Sequence, residues 1–150
     1  GNFKFFCYSN LIDNTEHFAL VKGSITEEDE VLVRVQKLNY ISDLFQGVLS
    51  KSNQNEKDMS INKIMREMQN IKKGVIVIIK DNKGIFEWNK DKKENYNTES
   101  QKFREYGVGA QILRDIGVRK MVLMTNSKKA IIGLQGFDLK IVGHKELRNE

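Results

Sequence analysis

Apolar residues along this chain fall in short blocks, and the spacing within each block separates strands from helices. Lys4 to Tyr8, His17 to Lys22 and Val31 to Val35 read as three short strands of a β-meander. A polar turn around Asp13–Glu16 and a Gly23-Ser24 break separate them. From Met59 to Ile71 the period changes: Ile61, Ile64, Met65, Met68 and Ile71 form one stripe of an amphipathic helix, with Asp58 or Ser60 as N-cap. Val75 to Ile79 is an unbroken β-branched run, the pattern of a strand covered on both faces. Asp81-Asn82-Lys83-Gly84 then makes a turn. Lys80 to Arg104 is nearly all polar and lacks periodicity, which predicts a long loop with at most a frayed helical piece.

Periodicity returns at Tyr106. Val108, Ile112, Leu113 and Ile116 share one helical face and Gly117 is a stop signal, predicting a helix over Gly107–Ile116. Met121 to Met124 is a buried strand, Thr125 to Lys129 a polar loop, and Leu139 to Val142 a last strand. Strand, helix and strand in this order predict a βαβ unit within a mixed sheet, hence an α/β fold with helices flanking the sheet and one domain over residues 1–150.

Composition narrows the class of function. Charged residues make up 30% of the 150 and hydrophobic ones 39%, an ordinary balance for a soluble globular protein. No apolar run approaches the roughly 18 residues of a membrane span, so no membrane role is expected. The single Cys7 rules out an internal disulfide and suits a reducing compartment, which predicts a cytoplasmic protein. Net charge is +5, but the signs are interspersed without a basic, aromatic-laced face, which argues against nucleic acid. A first residue that is Gly1 rather than Met predicts a piece of a longer protein.

Several local features have plain structural readings. His17 beside Ala19 and Leu20 is expected to be structural, and Cys7 among aromatics a small core residue. Gly107-x-Gly109 lacks the third glycine and the preceding strand of a dinucleotide fingerprint. Lys128-Lys129 is expected to be solvated.

The stretch from Tyr106 to Lys129, YGVGAQILRDIGVRKMVLMTNSKK, resembles the carboxy-terminal signature of the GTP cyclohydrolase II family of riboflavin biosynthesis. Glu16-His17-x-Ala19-Leu20-Val21-Lys22-Gly23, Val33-Arg34-Val35 and Asp43-Leu44-Phe45 resemble its earlier landmarks in the same order. The resemblance implies the family fold, a homodimer, and fusion behind a 3,4-dihydroxy-2-butanone 4-phosphate synthase domain. It also implies a reaction in which zinc on three cysteines activates water against GTP, with magnesium present.

Here the three cysteine positions are Asn39, Ser50 and Ser52, neutral groups that make poor zinc ligands. Only Cys7, His17 and His144 remain as soft or imidazole donors, without ligand spacing. No metal or other cofactor is therefore expected. The family's base-and-phosphate loop falls on Lys80 to Gly84, with its Arg replaced by Lys83. The catalytic arginine of the family matches Arg104, while its base position is Lys102. Arg34 and Thr125 match nucleotide contacts, and the family's phosphate-binding lysine falls on Ala130, beside Lys128 and Lys129. The expectation is a pseudoenzyme with a structural, dimerising or regulatory role. The alternatives are a diverged active GTP cyclohydrolase II and a purine-nucleotide-binding module without catalysis.

Overall fold

The computed structural model describes residues 2–38, 60–80 and 99–147, with no side chains described for residues 99–102. In chain order the elements are β1 (Lys4–Ser9), β2 (Glu16–Lys22), β3 (Glu30–Lys37), α1 (Ile61–Glu67), β4 (Gly74–Ile79), α2 (Glu99–Ile116), β5 (Lys120–Met124), α3 (Lys128–Gln135) and β6 (Lys140–Lys145). The strands form one six-stranded sheet in the order β1-β2-β4-β3-β5-β6. The pairs β4–β3, β3–β5 and β5–β6 are parallel, and β1–β2 and β2–β4 antiparallel. This is the expected mixed α/β sheet.

The expected meander is corrected. β1 and β2 are a hairpin, but β4 inserts between β2 and β3 and pairs with both. The composition of β4 explains why. All six of its residues, Gly-Val-Ile-Val-Ile-Ile, are buried, so a central position removes more apolar surface from water than an edge would.

Two apolar layers flank the sheet. Val31, Val33, Val75, Val77, Met121 and Leu123 pack with Ala110 and Leu113 of α2 and Leu134 of α3. Leu32, Ile76, Ile78 and Met124 pack on the other face with Ile64 of α1 and with Met68. Strand period two thus divides alternate residues between the layers. Truncating a fully buried residue such as Ile76 to alanine carries a cost of about 2–5 kcal/mol.

Helix ends follow local chemistry. Ser60 caps α1, its hydroxyl accepting from Lys63 N at 3.3 Å; the alternative cap, Asp58, lies outside the described residues. Gly117, at φ +106°, ends α2. Val118 N donates to Leu113 O at 3.0 Å and Gly117 N to Arg114 O at 3.1 Å, a Schellman closure that favours glycine. α2 begins at Glu99, eight residues before the expected Gly107. Its first turns carry charged and polar residues without an apolar stripe, so periodicity marked only the packed half. Gly109 allows that half to approach Val35, whose methyl lies 3.2 Å from where a Cβ would stand.

α3 is a second correction, because its first residues fall in the expected polar loop. Ile131, Ile132 and Gly133 are weak helix formers, so packing rather than propensity makes this helix. A Cβ on Gly133 would lie 2.5 Å from the Tyr106 ring, so the glycine permits α2 and α3 to meet. Cys7 is also corrected: it is exposed, because β1 is an edge strand.

Candidate functional site

Parallel strands β4, β3, β5 and β6 direct their carboxyl ends to one edge of the sheet. Chain connections leave β3 toward β4 on one side, and β4 returns through α2 to β5 on the other. That reversal of strand order is where open α/β sheets leave a crevice for ligands. Two of the residues singled out from sequence, Arg34 and Thr125, lie toward that edge, Arg34 bonded to the carbonyl of Met124 next to Thr125.

Pairing between β3 and β5 ends at Val33↔Leu123. One residue further on, the Arg34 side chain takes over from the backbone: Nη1 donates to Met124 O at 3.0 Å, and Nε to Gln36 Oε1 at 3.3 Å. Both acceptors are neutral. Among the described residues no carboxylate pairs with Arg34. Burial pulls the guanidinium down to about 10 and the Tyr106 hydroxyl offsets part of that, so it stays cationic at neutral pH. Tyr106 is itself pushed up, first by burial and then by Glu105, with Arg34 opposing. Glu105 pairs with Lys37 at 3.3 Å.

Thr125 follows β5 directly and is buried. Its N–H donates to Lys145 O at 3.0 Å, and its Oγ1 accepts from Ser127 N at 3.0 Å, the local turn that starts α3. Asn126 fastens the chain to the far side: its Oδ1 accepts from Leu147 N at 2.8 Å and its Nδ2 donates to Leu147 O at 3.3 Å. Ser127 occupies the N-cap of α3 without a side-chain cap bond. Lys128 and Lys129, exposed in the first turn, put cations at the positive end of the helix dipole, an arrangement unfavourable by itself.

Arg104 is exposed on α2 and makes no hydrogen bond or ion pair among the described residues. Asn39, Ser50, Ser52, Asp81–Gly84 and the segment through Tyr96 lie outside the described residues. Sequence reasoning missed Gln36 and Tyr106. Gln36 was detectable as a polar residue on the face of β3 that Leu32 shares; Tyr106 was quoted only as a marker.

Among the described residues Cys7, His17 and His144 do not come together as zinc ligands. Cys7 aligns through Phe18 and Ile78 with Gln36, three strand spacings of about 4.8 Å away. Zinc–sulfur bonds of about 2.3 Å cannot bridge that span. His17 Nε2 lies 2.7 Å from Thr15 Oγ1, and its Nδ1 accepts from Lys80 N at 3.1 Å, so both ring nitrogens are engaged. His144 stands on β6, the opposite edge strand from Cys7. Among the described residues no three of His, Cys, Asp and Glu cluster for a metal. A shallow groove bounded by Phe3, Asn62, Met65, Arg66 and Gln69 lies by α1, near where Lys22 Nζ donates to Met68 O and Gln69 O, at the other end of the strands.

The fold is a mixed α/β domain with a partly buried cation, Arg34, near the carboxyl ends of its parallel strands. The sequence profile described as GTP cyclohydrolase II matches residues 1–146, and the chain belongs to that family. Among similar proteins, the monofunctional riboflavin biosynthesis protein RIBA 3 of Arabidopsis thaliana is 35% identical over 84 residues, 56% of this chain and 16% of that protein. Riboflavin biosynthesis protein RibBA of Chlamydia trachomatis is 34% identical over 84 residues, 56% of this chain and 19% of its own length. The probable bifunctional riboflavin biosynthesis protein RIBA 1 of Oryza sativa is 42% identical over 45 residues, 30% of this chain and 8% of that protein. The matched stretches thus span less than a fifth of these relatives. Among the described residues no helix is long and apolar enough to cross a membrane.

Proposed function

We propose that this chain is a GTP cyclohydrolase II-fold domain of riboflavin biosynthesis that binds a purine nucleotide, GTP foremost, and does not open its ring. In this reading it is a pseudoenzyme, with a structural or regulatory role beside a 3,4-dihydroxy-2-butanone 4-phosphate synthase domain. The observation that carries it is Arg34, a half-buried cation held among the described residues by neutral carbonyls at the strand-order reversal. A charge withdrawn from water without a counter-ion costs stability, and a phosphate group supplies that counter-ion through charge-assisted hydrogen bonds. Lys128 and Lys129 at the start of α3 add to the same field.

The loss of catalysis follows from the donor set. Asn39, Ser50 and Ser52 bring no thiolate, and Cys7, His17 and His144 are spread across the sheet. The family homodimer belongs to the same proposal. Phe5 and Phe6, on opposite faces of the edge strand β1, and Leu11 and Ile12 beyond it are exposed apolar residues for a second copy to cover.

Three measurements test the reading. Metal analysis of the purified chain is expected to find no stoichiometric zinc, and one zinc per chain would overturn the loss of the site. Incubation with GTP and magnesium is expected to release neither formate nor pyrophosphate; release would establish the active alternative. Millimolar GTP is expected to raise the melting temperature, with the rise abolished in Thr125→Ala, and a flat response would leave only the structural role.

A further inference from the structure

Packing alone does not call for a glutamine at position 36. Gln36 is 5% exposed and stands in register with Ile78, on the face of β3 that Leu32 also occupies. Burying an amide there costs free energy unless its polar atoms are used, and leucine would fill such a position without that cost. Its oxygen accepts from Arg34 Nε at 3.3 Å, while Met124 O accepts from Arg34 Nη1 at 3.0 Å. Two fixed acceptors determine the plane of the guanidinium, and among the described residues Nη2 has no partner, which leaves it for a ligand.

The chemical type of the acceptor matters as much as its position. A carboxylate at 36 would orient Arg34 equally well, but it would cancel the charge inside the protein. An alkyl side chain would leave the charge intact and Nε unsatisfied, so that the group loses its fixed plane. Only a neutral acceptor both orients the cation and keeps it available. The nearby acid on α2 is likewise withheld, since Glu105 pairs with Lys37.

We infer that Gln36 is a positioning residue for anion recognition, fixing the Arg34 guanidinium without neutralising it so that the edge takes a phosphate-bearing ligand. This rests on the nucleotide-binding reading above and adds what tunes that site. It also distinguishes the role of Gln36 from a merely structural one, because the carboxylate variant moves stability and binding in opposite directions.

The test uses the chain as it stands, with GTP and inorganic pyrophosphate as probes, calorimetric titration for affinity and thermal melting for stability. Gln36→Glu is expected to melt at or above the wild-type temperature without ligand, while affinity for both probes falls at least tenfold and its salt dependence flattens. Gln36→Met is expected to bind about three- to tenfold more weakly with the salt dependence retained. Arg34→Met is expected to lose binding. Wild-type affinity in Gln36→Glu, with binding lost in Arg34→Met, would overturn this inference and leave the binding site standing. Should Gln36→Glu fail to fold, Gln36→Met decides alone, and undiminished affinity there overturns the inference. Absence of binding in the wild type overturns the nucleotide site itself and the inference with it.

Discussion

A buried histidine and a partly buried arginine lie toward the same edge of the sheet, and their hydrogen bonding closes in different ways. His17, on β2, is the middle of a complete chain. Lys80 N donates to Nδ1 at 3.1 Å, so the ring proton is on Nε2 and goes to Thr15 Oγ1 at 2.7 Å. Thr15 Oγ1 donates in turn to Asp13 Oδ1 at 2.6 Å. Every group in the chain has a partner of the right polarity. Arg34, on β3, has acceptors for Nε and Nη1 and no counter-charge among the described residues. Full satisfaction fixes structure and leaves nothing for a ligand; an uncancelled charge costs stability and invites one.

Substituting each group breaks the comparison most directly. His17→Leu removes the acceptor of Lys80 N and the donor to Thr15, and is expected to destabilise the fold by about 2 kcal/mol. That corresponds to a melting temperature lower by roughly 4–8 °C at this chain length, with nucleotide affinity unchanged. Loss of affinity in His17→Leu would place the histidine in the binding site and erase the distinction.

Acid gives a smaller and graded version of the same effect. Burial lowers the His17 pKa from its ordinary 6.5, and the Asp13 carboxylate opposes only in part. The folded state therefore prefers the neutral ring. Its contribution is fully present above pH 6.5 and is lost as pH falls from there through the lowered folded value. Denaturant midpoints measured across that window are expected to fall with pH in the wild type. His17→Leu is expected to lack that component of the slope; an equal slope in both would remove the histidine as its source.

The smallest change in stability is expected from Arg34→Met, within about 1 kcal/mol of wild type, because relief of a desolvated charge is offset by the acceptors left without a donor on Gln36 and Met124. Thermal melting without ligand checks this. A loss of several kcal/mol would mean that Arg34 holds β3 against β5 and is structural, like His17.

Much of the fold was legible in local pattern. Alternation located β2 and β3, the β-branched run located β4, and the Ile112, Leu113 and Ile116 face located the packed half of α2. α3 was not legible, since its helix rests on Gly133 meeting Tyr106, residues distant in sequence. The exposure of Cys7 was missed because an edge strand and an interior strand carry similar apolar residues. Arg34 and Thr125 were singled out through the family resemblance, and the polar residue Gln36 beside Arg34 passed unnoticed.

The sequence alone determined the family, because that depends only on which residues stand where along the chain. It also determined the two-faced character of each strand, since that follows from the two-residue period. Only the tertiary structure decided that β4 divides β2 from β3, that Lys80 closes on His17, and that Met124 holds Arg34. Those contacts join residues 63 and 90 positions apart. A hydrogen bond across such a separation leaves no periodicity or local propensity to read, because each partner is chosen by the packing that brings the strands together.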